Sequence, residues 1–170
     1  MRDLPTDLPH VVFVGRSNVG KSSLINMIFG RNVARVSKEP GRTRNIYLYP
    51  FEEKIYVVDV PGYGYAKVSR SMLQEWKKMM EEYFKRYKEI IKIVFVLVDC
   101  VVGLTELDLQ MLEYLNHMGI KRMIILTKCD KASQKELSRV KFELQRIGVE
   151  YVVTSAKEGI GKKEIIKLML

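Results

Sequence analysis

Eight residues near the start of the chain, Gly15-Arg16-Ser17-Asn18-Val19-Gly20-Lys21-Ser22, carry the spacing G-x-x-x-x-G-K-[ST]. That spacing suits the holding of a triphosphate. Phosphate oxygens need many N–H donors converging on them, and glycines at 15 and 20 let the backbone curl closely enough to supply them. The apolar run Val11–Val14 leads in and a helical pattern, Lys21–Phe29, leads out. The helix then aims its free N–H groups and partial positive charge at the anion. Lys21 would place its ammonium on the β- and γ-phosphates, and the Ser22 hydroxyl would ligate Mg²⁺. Asn18 has two readings: its side-chain carbonyl ligates a monovalent cation such as K⁺, or it only braces the loop by hydrogen bonds to the backbone.

The loop alone does not choose between ATP and GTP. Thr127-Lys128-Cys129-Asp130 follows the apolar run Met123–Leu126. A carboxylate at the mouth of a parallel sheet accepts from guanine N1–H and its exocyclic amine. Adenine lacks that edge and would leave the carboxylate unpaired, at a cost of roughly 2–5 kcal/mol. Lys128 can lay its stem against the base. Thr154-Ser155-Ala156 follows the next strand, where backbone N–H groups would meet guanine O6.

Asp59-Val60-Pro61-Gly62 ends another apolar run. Asp59 would hold a Mg²⁺-bound water, and the Gly62 N–H would contact the γ-phosphate only while it is present, which gives a segment with two states. The long polar stretch between Phe29 and Ile46 holds Pro40-Gly41-Arg42-Thr43-Arg44. Thr43 would supply a second hydroxyl to Mg²⁺. Arg42 and Arg44 serve either the nucleotide or only a solvated loop. Lys21, Thr43, Gly62 and Asn18 are the candidate catalytic residues.

The elements that must position these groups alternate strand and helix. Ile46–Phe51 and Lys54–Asp59 read as an antiparallel pair. Ser71–Lys88 has Leu73, Trp76, Met80, Tyr83, Phe84 and Tyr87 at helical spacing, with Ser71 and Gln74 spaced as a capping box. Ile93–Val98 is a continuous apolar run, as a central parallel strand requires. Thr105–His117, Ser133–Ile147 (with Ser133 and Glu136 as a capping box) and Lys162–Leu170 read as helices, and Val149–Val153 as a strand. Such alternation predicts a single three-layer α/β domain with a mixed, mostly parallel six-stranded sheet, helices on both faces and the site at the carboxyl ends of the strands. It covers residues 1–170, with a short N-terminal extension at 1–9 and a last helix that reads as cut short at Leu170.

The chain has 170 residues, of which 47% are apolar, enough for one sizeable core and too many for a disordered chain. Apolar runs fall short of the ~18 residues that span a bilayer, and residues 1–10 are too polar for a signal peptide. Cys100 and Cys129 lack metal-ligand spacing and read as reduced, partly buried thiols. His10 and His117 have no ligand-like company. The net charge is +9. That excess fits either a polyanionic partner or a surface that merely stays solvated.

The segments G-R-S-N-V-G-K-S-S, P-G-R-T-R, D-V-P-G-Y-G-Y, T-K-C-D and T-S-A, in this order and spacing, resemble the EngB (YihA, YsxC) family of small bacterial GTPases implicated in assembly of the large ribosomal subunit. The resemblance runs from about Val11 to the C-terminus. It implies a P-loop GTPase domain in which residues 15–22, 41–45 (including Asn45), 59–62, 127–130 and 154–156 line the nucleotide. Ser22 and Thr43 would ligate Mg²⁺. Cys129 stands where the family often has Ala, between an intact Lys128 and Asp130.

The expectation is therefore a cytoplasmic, monomeric switch that binds GTP and GDP, uses Mg²⁺, hydrolyses GTP slowly and docks on a precursor of the large ribosomal subunit and its rRNA, without a membrane partner. It would be needed for normal growth and division. The alternative is a GTP-regulated interaction module for cell division and septation without direct ribosome action. An ATP-dependent kinase conflicts with Asp130.

Overall fold

The computed structural model describes residues 3–34, 45–64 and 69–170. Six strands, β1 (His10–Gly15), β2 (Tyr47–Phe51), β3 (Ile55–Asp59), β4 (Ile91–Asp99), β5 (Arg122–Thr127) and β6 (Tyr151–Val153), form one sheet in the order β2-β3-β1-β4-β5-β6. Only β2 runs antiparallel to its neighbour, with Tyr47 opposite Asp59 and Phe51 opposite Ile55. The other pairings are parallel.

Burial explains why β4 reads as an unbroken apolar run. Ile93, Phe95 and Leu97 face the core shared with helices α1 (Lys21–Phe29) and α5 (Lys162–Met169). Val94, Val96 and Val98 face the core shared with α2 (Arg70–Tyr87), α3 (Glu106–His117) and α4 (Gln134–Ile147). A strand covered on both faces has no polar side to show. This is the expected three-layer domain. Among the described residues no helix is long and apolar enough to cross a membrane.

Caps set the helix ends. Gly20 and Gly30 flank α1 in the left-handed region (φ +95 and +70). Ser133 and Glu136 make the predicted capping box on α4, and Thr105 makes another with Asp108 on α3. The start of α2 corrects the expectation of a Ser71–Gln74 box. The N-cap is Ser69, whose hydroxyl accepts from Met72 N, so Arg70 is already helical and Ser71 lies inside the first turn. Leu73, expected on the buried stripe of α2, is exposed.

Candidate functional site

The phosphate loop leaves β1 at Gly15, where an added Cβ would lie 2.9 Å from Val19 Cγ1 and 3.2 Å from the Leu97 backbone oxygen. Val19 is buried beneath the loop, and its N–H bonds back to Arg16 O at 3.2 Å. Asn18 sits at φ +66 and Gly20 at φ +95. Gly20 is the N-cap of α1, and among the described residues no side chain caps that end. The first N–H groups of α1 are thus left for an anion. Arg16, Ser17, Lys21 and Ser22 are half-buried around this curl, and Asn18 is exposed on its rim.

Asp59 ends β3 one strand away and is buried. The Lys21 ammonium donates to Asp59 Oδ1. Beyond it, Val60 and Pro61 are buried, and Trp76 Nε1 on α2 donates to Pro61 O at 3.0 Å. A Cβ on Gly62 would come within 3.2 Å of Ser17 N, so a side chain there would press the two backbones apart by a few tenths of an ångström. Tyr63 closes the contact: its N–H donates to Gly15 O at 3.1 Å and its carbonyl accepts from Ser17 N at 2.8 Å. The Tyr63 side chain turns into the core, edge-on to Trp76, and its hydroxyl donates to Asp108 Oδ1 at 2.5 Å. Burial first, then the nearby Asp108 carboxylate, raises the phenol far above its ordinary range, so it remains a neutral donor.

The loops after β5 and β6 meet on the other side. Thr127 Oγ1 donates to Val19 O at 2.7 Å, tying the T-K-C-D segment to the phosphate loop. Lys128 adopts φ +60, and its ammonium donates to Asn18 O at 2.8 Å and lies 3.3 Å from Asp99 Oδ2. Cys129 N donates to Thr154 O at 3.0 Å, and Thr154 N to Leu126 O at 2.8 Å. Buried Ser155 donates its hydroxyl to Asp130 Oδ1 at 2.8 Å and accepts from Glu158 N at 3.1 Å. Ala156 is half-buried beside it. Both cysteines are free thiols. Burial pushes Cys100 up to about 12 and also raises Cys129, so neither is a ready thiolate.

The structure thus brings together residues 15–22, 59–62, 127–130 and 154–156 at the carboxyl end of the sheet. Asn45 is exposed just before β2. Gly41, Arg42, Thr43 and Arg44 lie outside the described residues. Sequence reasoning missed Asp99 as the partner of Lys128, Trp76 as the donor to Pro61, and Asp108 as the partner of Tyr63. For Asp108 a signal existed, because Thr105-Glu106-Leu107-Asp108 has the [ST]-x-x-[DE] spacing of a cap. The His10 ring is hydrogen-bonded within the fold, with Nδ1 2.9 Å from the Tyr83 hydroxyl and Nε2 2.8 Å from Pro5 O, on the far end of β1 from the site.

Comparison with known proteins gives the family. The family described as 50S ribosome-binding GTPase matches residues 10–128. A probable GTP-binding protein EngB of Aquifex aeolicus is 52% identical, over 98% of this chain and 92% of its own length. Its counterpart in Thermotoga maritima is 42% identical, over 98% of this chain and 88% of its own length. The crystal structure of a probable GTP-binding protein EngB superposes with a TM-score of 0.79 at 23% identity, covering 94% of this chain and 96% of that one. Era from Aquifex aeolicus, solved with GDP and AlF4⁻, superposes with a TM-score of 0.77 at 24% identity, over 95% of this chain and 56% of that one. The last two establish the shared fold, while the family match and the closely similar full-length relatives establish kinship. The chain belongs to the 50S ribosome-binding GTPase family, and within it to the EngB group of GTP-binding proteins.

Proposed function

We propose that this GTPase is a slow molecular switch whose GTP-bound form docks on a precursor of the large ribosomal subunit. The observation that carries the switch is the Lys21–Asp59 pair. A triphosphate at the N-terminus of α1 would engage Lys21, and Asp59 would help to hold Mg²⁺. Mg·GTP and the ion pair therefore compete for the same two side chains. Asp59 opens the segment that continues to Gly62, so the nucleotide state is passed directly to that turn.

The donors suit Mg²⁺: the Ser22 hydroxyl and the buried Asp59 carboxylate are hard oxygen groups. Thr43 would add a second hydroxyl. When bound, the ion neutralises charge developing across the β- and γ-phosphates. Residues 15–22 would hold the phosphates, and 41–45 would line the nucleotide. Asp130, oriented by Ser155, reads guanine, with Lys128 along the base and 154–156 facing O6.

The ribosomal partner is supported by the family's description and by the net charge of +9. Era, a neighbour in fold, has been solved in complex with nucleotides of 16S ribosomal RNA. The protein would act as a cytoplasmic monomer, with growth and division depending on it through the ribosome. The test is co-sedimentation with large-subunit particles. The form loaded with a GTP analogue should co-sediment, and its affinity should fall roughly 10³-fold between 50 and 200 mM salt if ~6 phosphates are contacted. Equal attachment of the GTP and GDP forms would sink the switch. Tight attachment to a division protein with none to the particles would favour the septation reading instead.

A further inference from the structure

We propose that Tyr63 is a positioning residue that couples the turn after Asp59 to the first turn of α3, making that turn of α3 part of the nucleotide-responsive surface. The proposal rests on the switch reading above. Its basis is that Tyr63 is held from two directions. Its backbone is stitched to the phosphate loop on both sides, to Gly15 O at 3.1 Å and from Ser17 N at 2.8 Å. Its side chain ends on Asp108 Oδ1 at 2.5 Å, and both residues are buried, at 4% and 1% exposure.

Asp108 is itself the keystone of the α3 cap. Its Oδ2 accepts from Thr105 N at 2.9 Å and from Thr105 Oγ1 at 3.0 Å. The next residue tightens the link: Gly64 sits at φ +75, and a Cβ there would lie 2.9 Å from Leu107 Cδ1. A turn that moves to meet a γ-phosphate through Gly62 cannot leave Tyr63 behind, and Tyr63 cannot move without changing the set of donors on Asp108. Buried polar groups of this kind have few alternative partners, so the arrangement is two-state rather than graded. Leu107, in that first turn of α3, exposes apolar surface.

The test is hydrogen exchange of amides 105–109 and 59–64 in the full chain, with a non-hydrolysable GTP analogue and with GDP. Wild type should show a difference between the two nucleotides in both segments. Tyr63→Phe removes only the hydroxyl. It should erase the difference at 105–109, change the ratio of GTP-analogue to GDP affinity by roughly tenfold, and leave GDP affinity in place. Thr105→Ala removes one donor from Asp108 Oδ2 but leaves the Tyr63 bond to Oδ1, so it should weaken the difference at 105–109 without erasing it. If wild type differs at 59–64 but not at 105–109, the coupling is wrong and the switch survives. If neither segment differs, the switch itself falls and the coupling with it. If Tyr63→Phe keeps the difference at 105–109, or loses both nucleotides equally, Tyr63 is only structural.

Discussion

The Ser155 hydroxyl donates to Asp130 Oδ1 at 2.8 Å, joining the loop after β6 to the loop after β5. One carboxylate oxygen is thereby anchored. Asp130→Asn turns an acceptor into a donor, so it should lose GTP and gain xanthosine triphosphate. Ser155→Ala should weaken GDP binding by about tenfold, the value of one hydrogen bond to a charged group, without admitting ATP. Isothermal titration with the three nucleotides decides it. Similar affinity of the wild type for ATP and GTP would refute the guanine assignment.

Lys21→Ala should abolish triphosphate binding and spare the fold, because the lysine serves the ligand more than the core. The pairing with Asp59 adds a cost: Asp59 is 3% exposed and loses its cationic partner. A destabilisation of about 1–3 kcal/mol is expected for a buried acceptor left alone. Circular dichroism should show native secondary structure at 25 °C with a lowered thermal midpoint. A chain unfolded at 25 °C would make Lys21 a structural residue.

The bounds of α1 were readable because the glycines that curl the phosphate loop and end the helix are local signals. The strand character of β4 was readable because its residues are apolar on both faces. The start of α2 was not, since Ser69 and Ser71 are equally good caps in sequence, and it is the Ser69 hydroxyl that accepts from Met72 N. The β2–β3 turn was expected, but not its form: Glu52 and Glu53 both take positive φ (51 and 57), where glycine or asparagine would be usual. At the site, residue types and spacing picked out segments that the fold brings together at the carboxyl end of the sheet. What holds those groups was hidden, because the partners are remote: Thr127 bonds to Val19 across 108 positions and Tyr63 to Asp108 across 45. A helical stripe marks Trp76 as inward-facing but carries no trace of Pro61 as its acceptor.

His10 predicts a pH dependence. It is fully buried, and Pro5 O can only accept, so Nε2 carries the hydrogen and Nδ1 accepts from the Tyr83 hydroxyl. Burial lowers its pKa below 6.5, outweighing the Pro5 bond and Asp7, which raise it. The native state then refuses a proton that the unfolded chain takes up. Its contribution is intact above about pH 6.5 and declines as pH falls from there towards the depressed native value. Wild type should therefore lose more thermal stability between pH 7.5 and 5 than His10→Gln, by a few degrees at about 2–4 °C per kcal/mol. Parallel melting profiles for the two proteins would remove His10 from the account.

Hydrolysis brings the phosphate loop and Tyr63 together. Many GTPases place a Gln directly after the Asp-x-x-Gly glycine to orient the attacking water. Here that position is Tyr63, whose side chain points away from the phosphate loop into the core and is engaged with Asp108. Intrinsic turnover should therefore be slow, well below about one per second. Tyr63→Ala would open a large cavity costing about 3–5 kcal/mol, so Tyr63→Phe is the cleaner probe of chemistry. That variant should keep kcat, whereas a drop of ~100-fold, the scale lost with a proton-transfer group, would place the phenol in the reaction. Charge developing between the β- and γ-phosphates then needs another partner. Asn18 lies exposed on the loop rim at φ +66, with its backbone oxygen already taken by Lys128. Its side-chain carbonyl is the candidate ligand for K⁺. Because φ is positive, Asn18→Gly deletes that carbonyl without the backbone strain that Ala would add. GTP hydrolysis should be faster in K⁺ than in Na⁺ at fixed ionic strength, by roughly tenfold or more if the ion does part of the work of an arginine finger. The preference should vanish in Asn18→Gly. Equal rates in the two salts for wild type, with ribosomal particles present, would leave Asn18 as a brace for the loop and nothing more.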